Sequence, residues 1–545
     1  MKRALHLAAL AITFLASCNP AGGDKEVNAF VDHFEVEGRS IAPGKLAGEL
    51  PTEGLEISIY FSDPIVFSKL DQDGIFLSGY TGSFECSEGP GGNCLVVKLT
   101  GTLDFCRRYS FSISQGRNLG LNLIDNYSIN LSTRYDPADK FPRIGDEELL
   151  TLVQKQTFKY FWDYAHPSCG LARERLGSDE TVATGGSGFG IMTLPVAVER
   201  GFVSREEAAQ RMRKILSFLG GKAQRFHGAF PHWINGSSGE VIPFSAKDNG
   251  ADLVETAFLI QGLLAVSQYF DNPSEADIRS SIDDIWRAVE WDWFTRNGSD
   301  VLYWHWSPDK EWAMNMQING WNEGLIVYVL AASSPTHPIS RKVYDNGWAR
   351  NGGIRNGRKY YDITLPLGSD YCGPMFFAHY SFMGLDPRGL SDTYASYWEQ
   401  NVAHARINYE YCRANPKGHA GYSAVCWGLT ASDIPSGYTA SSPTHDVGVI
   451  APTAAVASYP YLPSESMDAM RTFYYVYGDR LWGEYGFRDA FSLDSAWFAS
   501  SYIAIDQGPI VVMIENGRSG LLWNCFMKHP DVLAGLSRLG FSVTP

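Results

Sequence analysis

From Asp146 to the C-terminal end of the chain, two kinds of helical segment alternate, and few folds accommodate that pattern. One kind is amphipathic with a period of 3.6: EELLTLVQKQTFKYFWDYA, SREEAAQRMRKILSFL, ADIRSSIDDIWRAVEWDWF, LSDTYASYWEQNVAHARINYEY and SESMDAMRTFYYVYG. The other is apolar nearly all round: GFGIMTLPVAVE, LVETAFLIQGLLAVSQYF, WNEGLIVYVLAAS, GPMFFAHYSFMG, VIAPTAAVASYPY and AIDQGPIVVMIENG. A helix with one apolar stripe covers a core, whereas a helix apolar on every side must itself be covered. Alternation of the two predicts an outer ring around an inner ring. Close to twelve segments are present over residues 146–540, the complement of an (α/α)6 barrel, so the fold class expected is mainly α.

The region ahead of the barrel has another texture. Over residues 29–140, short alternating runs such as EISIYF (56–61), CLVVKL (94–99), YSFSIS (109–114) and YSINLST (127–133) are separated by Gly, Pro, Asp and Asn turns, which predicts a small Ig-like β-sandwich. Nothing in it resembles a catalytic motif, so a spacer or accessory binding role is expected. Residues 1–18, MKRALHLAALAITFLASC, read as a secretory leader, and LASC resembles the lipobox of bacterial lipoproteins, with Cys18 as the acylated residue. Residues 19–28 would be a polar linker. The expected location is the cell envelope, lipid-anchored in the outer membrane or facing the periplasm, with the protein a monomer. In an exported protein Cys86 and Cys94, flanking SEGPGG, are candidates for a disulfide. Cys106, Cys169, Cys372, Cys412, Cys426 and Cys525 show no metal-ligand spacing.

Charge narrows the partner. With 45 Lys and Arg against 60 Asp and Glu, the formal charge is -15, which argues against nucleic acid and against polyanionic substrates. The 15 Trp, 28 Tyr and 30 Phe fit a neutral sugar, whose pyranose faces pack on aromatic rings. Trp233, Trp312, Trp321, Trp427 and Trp482 are available for that, although about half of such residues belong in the core. No cofactor motif occurs, and the 12 His show neither H-E-x-x-H nor another ligand spacing, so neither cofactor nor metal is expected. TGGSGFG lacks the Lys-Ser/Thr of a phosphate loop and would serve close backbone approach to a substrate.

The acids stand at helix mouths. In NGADLVETAFLIQGLL, Asp252 and Glu255 have the spacing of an acidic capping box, yet a carboxyl against Leu253, Val254, Phe258 and Leu259 is also a candidate general acid. Glu323 in GWNEGL repeats the pattern, either holding a sugar hydroxyl or its own helix. Asp446 could cap a helix near Gly448, and His445 beside it could be a cap, a core residue or a sugar ligand. Arg173 and Arg175 could lower the pKa of neighbouring carboxylates or form ordinary ion pairs. Asp506 and Glu515 read as structural.

Several strings go further: TGGSGFGIMTLPVAVERG, NGADLVETAFLIQGLL, GWNEGLIVYVLAASSP, GPMFFAHYSFMGLDPRGLSD, ANPKGHAGYSAVCWGLTASD, SPTHDVGVIAPTAAVASYPY, LWGEYGFRDAFS and AIDQGPIVVMIENGRSGLLW. Together they resemble the bacterial glucoamylase-like domain, the group that includes glycoside hydrolase family 144, endo-β-1,2-glucanases with an (α/α)6 barrel. The resemblance implies hydrolysis of a β-glucan by an acid and a second carboxylate, with inversion. It implies Glu255 as general acid, Asp446 as a second functional acid, and further carboxylates in LARERLGSDE, where Glu174, Asp179 and Glu180 are alternatives. Substrate contacts are expected from Arg173, Arg175, Trp233, Trp321, Glu323, His445 and Trp427. The competing expectations are a glycan-binding lipoprotein without catalysis, an exo-acting hydrolase of another linkage, and a lyase of acidic sugars.

Overall fold

The computed structural model describes residues 27–544; the leader with Cys18 and linker residues 19–26 lie outside the described residues. The chain forms two compact units that divide between Thr133 and Arg134.

In the first unit, a five-stranded antiparallel sheet is built from Arg39–Ile41, Val31–Val36, Glu56–Phe61, Cys94–Leu99 and Phe84–Glu88 in that order. A four-stranded sheet of Leu46–Leu50, Tyr127–Thr133, Arg108–Ile113 and Ile75–Leu77 faces it. Alternate residues turn inward, as the period of two requires: Ile57, Ile59 and Phe61 from one sheet meet Ile129, Leu131 and Phe111 from the other. Phe34 and Phe111 meet edge to face at 6.2 Å. The first strand, Val27–Ala29, starts inside the expected linker. The expected disulfide is not formed: Cys86 pairs in register with Val97, Cys94 pairs with Tyr60, and both thiols are free. The ladder carries the two sulfurs to different cross-strand neighbours, beyond the short Cβ separation a disulfide needs.

The expected sandwich boundary at residue 140 moves back to Thr133, because the following segment belongs to the helical unit. Tyr135 donates to Asp479 at 2.6 Å, and the Ile144 amide donates to the Tyr475 hydroxyl at 2.9 Å.

In the helical unit the alternation read from the sequence is realised. Outer segments begin at Asp146, Arg205, Ala276, Arg341, Tyr397 and Pro463; inner segments begin at Thr184, Leu253, Leu325, Met375, Pro452 and Ala504. Inner neighbours touch in chain order, from Thr184–Glu199 to Leu253–Tyr269 and on to Leu325–Ser333, and Ala504–Arg518 returns to Thr184–Glu199. The ring is closed on the remaining side by hydrogen bonds from Tyr461 to the Ala378 carbonyl, 2.8 Å, and between His379 and Ser458, 3.0 Å. The inner ring is uneven. Thr184–Glu199, Leu253–Tyr269 and Ala504–Arg518 are long helices, whereas Met375–Ala378, Tyr380–Phe382 and Pro452–Val456 are one turn or little more.

The two longest inner helices cross at glycines. A Cβ on Gly188 would stand 2.2 Å from the Phe258 carbonyl oxygen, and one on Gly262 2.3 Å from the Gly188 oxygen. Gly186, Gly188 and Gly190 of TGGSGFG therefore serve helix-to-helix approach, which corrects the expectation that the string faces a substrate. Among the described residues no helix is long and apolar enough to cross a membrane.

Candidate active site

The inner helices open at one mouth, where extended residues feed directly into them. Ala251–Asp252 pairs with His305–Trp306, and Thr181–Ala183 pairs with Trp233–Asn235, just ahead of the helices that start at Leu253 and Thr184. Asp252 is the cap expected from sequence: one carboxylate oxygen accepts from the Val254 and Glu255 amides at 3.0 and 2.9 Å. Glu255 does not complete a capping box. Its Oε2 accepts instead from the Gly185 amide of the neighbouring inner helix at 2.6 Å, and its residue is only 5% exposed.

The second oxygen of Asp252 takes His232 Nδ1 at 3.0 Å and lies 3.5 Å from His305 Nε2, which also approaches Asp248 at 3.3 Å. These contacts order the charges. Burial pushes Glu255 up, and the carboxylates of Asp252 and Asp248 add to this; His232 and the Gly185 amide oppose it, leaving Glu255 at about 7. Burial acts the same way on Asp252, but His232 and His305 outweigh it and hold its pKa below the usual carboxylate range. The imidazoles respond reciprocally: burial lowers them, yet the surrounding acids raise both to about 9. A protonated acid thus sits one turn from an ionised one, the separation of roles that acid catalysis at neutral pH requires. His232, Asp248 and Asp252 bring potential ligand atoms within 4.8 Å of one another, a clustering that no sequence spacing disclosed. Asp252 is already committed to two amides and His232, and the cluster acts as the charge network of Glu255.

Glu255 lines a cavity of about 420 Å³, shared with Glu174, Arg175, His232, Trp233, Glu323 and Trp304 among others. Its size lies in the range that encloses a small ligand. Burial also raises Glu323 to about 7, its own backbone pulling down and Glu255 pushing up. Glu174 is ion-paired with Arg175 Nε at 2.9 and 3.1 Å, and Arg175 Nη1 reaches Asp433 at 3.1 Å. Behind Asp433, the Asp489 carboxylate accepts the Asp433 amide at 2.6 Å. Burial raises both Asp489 and Asp506; Asp489 pushes Asp506 further up, while a hydrogen bond from Asp506 pulls Asp489 back down.

The family model described as "Putative glucoamylase" matches residues 315–530. A Bacteroides uniformis structure described in the same words is 59% identical, covering 74% of this chain and 99% of its own, with a TM-score of 0.73. The endo-β-1,2-glucanase of Chitinophaga pinensis, solved with sophorotriose and glucose, is 51% identical over 73% of this chain and 99% of its own, with a TM-score of 0.72. The chain belongs to the glucoamylase-like family. An exo β-1,2-glucooligosaccharide sophorohydrolase (non-reducing end) of Parabacteroides distasonis is 48% identical over 440 residues, 76% of this chain; the chain spans 61% of that relative's length.

Within this glucoamylase-like barrel the expected site residues separate into two groups. Glu255, Glu174, Arg175, Trp233 and Glu323 line the cavity. The other residues are not in its lining. Asp446 is bound by Tyr422 and the Gly448 amide at 2.9 and 3.0 Å on one oxygen and by Tyr411 at 3.0 Å on the other. His419 stands 3.1 Å away. Burial favours its neutral form, but His419, the Gly448 amide and Tyr422 prevail and hold it at about 2. Asp179 is an exposed turn residue with φ +46°; its carbonyl accepts from Arg173 Nε at 2.8 Å. Arg173 stacks over Tyr164 at 4.7 Å, a structural role. Glu180 pairs with His166 at 3.2 Å. Exposed His445 bonds Thr439 at 3.0 Å. Trp321 and Trp427 are core residues, 7% and 0% exposed: Trp321 stacks on Phe382 and Tyr397, and Trp427 donates to the Glu465 carbonyl at 3.2 Å. Large apolar area drew them inward, as the alternative reading allowed.

Sequence reasoning missed His232, Trp304, Asp248 and Asp433. His232 lies beside Trp233, already expected to touch the sugar, so its position was the available signal. Asp433 carried none, since Arg175, its partner, is 258 residues away.

Proposed function

We propose that the protein hydrolyses β-1,2-glucan, cutting within the chain. The observation that carries this is Glu255: a carboxyl buried in the cavity wall, aimed by the Gly185 amide and holding its proton to about pH 7. In this reading the Glu255 carboxyl gives its proton to the glycosidic oxygen as the bond from that oxygen to C1 breaks. Glu174, ion-paired with Arg175 in the same lining, takes a proton from the water that attacks C1, so the product is inverted. Trp233 and Trp304 offer ring faces to the sugar. The endo mode is supported by 51% identity to an endo-β-1,2-glucanase whose chain is covered to 99%.

The test is incubation with linkage-defined glucans and analysis of product size and anomer. Mixed-length sophoro-oligosaccharides with inverted anomers are expected from β-1,2-glucan alone; folded protein that releases no reducing ends from it overturns the proposal. The pH dependence follows from the raised acid. Because Glu255 must carry its proton, kcat/KM should fall as pH rises through about 7, tending to tenfold per pH unit well above it. A profile flat between pH 6 and 9 would remove Glu255 from the acid role.

We also propose that the protein is held at a membrane surface by lipid on Cys18, from the leader and its LASC string. Cys18→Ser should move the protein from the detergent phase to the aqueous phase in a detergent partition experiment; unchanged partition of the native and substituted proteins counts against the anchor.

A further inference from the structure

Arg175 and Tyr438 line the cavity that contains Glu255, and they also line a second recess of about 600 Å³. The two spaces therefore share a wall. Tyr438 lies on the hairpin of Ala431–Ile434 and Gly437–Ala440 and is 50% exposed, so its ring is a partition between open spaces and not a core side chain.

The far recess has the elements of a sugar site. Trp497 lines it from another hairpin, Phe491–Ser492 with Trp497–Phe498, and its indole is only partly buried. Facing polar groups are Arg175, the Asp433 carboxylate, and the Ser501 hydroxyl, which donates to Asp433 at 2.5 Å. The charge of Arg175 is already answered by Glu174 and Asp433, so the recess offers hydrogen bonds without net attraction for an anion. A flat aromatic surface with a few convergent polar groups suits a neutral sugar ring.

We infer that the recess beyond Tyr438 is a distal sugar-binding site, in which Trp497 carries a glucose residue of the chain being cut at Glu255. This rests on the proposed glucan hydrolysis. The site would reward substrates long enough to cross Tyr438.

The experiment compares kcat/KM on β-1,2-glucan polymer with that on the shortest oligosaccharide cleaved, for the native protein, Trp497→Ala and Trp497→Phe, with melting temperatures as the folding control. Loss of one aromatic platform should lower the polymer-to-oligosaccharide ratio in Trp497→Ala by about fivefold to tenfold, with Trp497→Phe restoring most of it. A ratio unchanged in Trp497→Ala overturns the inference. If the native protein cleaves no glucan, the functional reading fails, and the recess is then tested by binding. Sophoro-oligosaccharides of increasing length are titrated into Glu255→Gln with and without Trp497→Ala. Affinity that rises with length only when Trp497 is present supports the recess; identical curves overturn it.

Discussion

Glu255→Gln should lower kcat by about 10²–10⁴-fold, the range that a positioned acid contributes, while the fold and glucan affinity persist. Glutamine keeps the shape and can still accept the Gly185 amide, now 2.6 Å from Oε2, but it has no proton to give. Stability should move the other way. Between the ordinary glutamate value of 4.5 and the raised value of about 7, the folded state retains a proton that the unfolded chain has lost. Folding stability therefore falls across that window as pH rises, and glutamine removes this slope. Loss of turnover with a melting temperature at pH 8 equal to or above that of the native protein is the expected pair of results. Retained turnover would end the assignment of Glu255 as acid.

Gly188→Ala should be a strongly damaging small change in the inner ring. Two effects compete. Alanine favours a helix over glycine by about 1 kcal/mol. Its Cβ, however, would meet the Phe258 carbonyl oxygen at 2.2 Å and the Leu259 Cα at 2.6 Å. Both are backbone atoms of the facing helix and cannot turn aside as a side chain could. Overpacking of this kind costs about 1–3 kcal/mol or more, so the clash wins and the helices separate. Gly185, one turn earlier, would then carry its amide away from Glu255, and kcat should fall together with the melting temperature. Gly220→Ala is the control: in an exposed helical position with nothing within 4 Å of the added Cβ, it should be neutral or slightly stabilising. Equal melting temperatures for Gly188→Ala and the native protein would refute the account of the crossing.

Much of the fold is written in periodicity. EISIYF and YSINLST are strands with the bounds read from the sequence, because alternation and flanking turns are local signals. The inner and outer helices were legible for the same reason, and Asp252 could be read as a cap because the amides that donate to it lie two and three residues on. What was not legible is proximity between segments. Glu255 takes its orienting amide from 70 residues away, and Asp252 takes its imidazole from 20 away. Asp446 has the same helix-mouth appearance as Glu255 in sequence, but Tyr411, Tyr422 and His419 converge on it from other segments. Composition could not sort the tryptophans either: Trp233 and Trp427 differ in burial, not in chemistry.

The uneven inner ring has a consequence for how such an enzyme can diversify. Long helices carry Glu255 and its Gly185 donor, while Phe376, Tyr380, Ala431 and Tyr438, on short turns and a hairpin, furnish part of the same lining. One flank of the cleft is built on long helices and carries the proposed acid. On the other, Tyr438 stands half-exposed on a hairpin whose length and sequence can drift without disturbing the acid. With Glu255 as the proposed proton donor, preference for chain length is free to evolve on that helical frame, so proteins built on the same acid can differ in the sizes of the fragments they release.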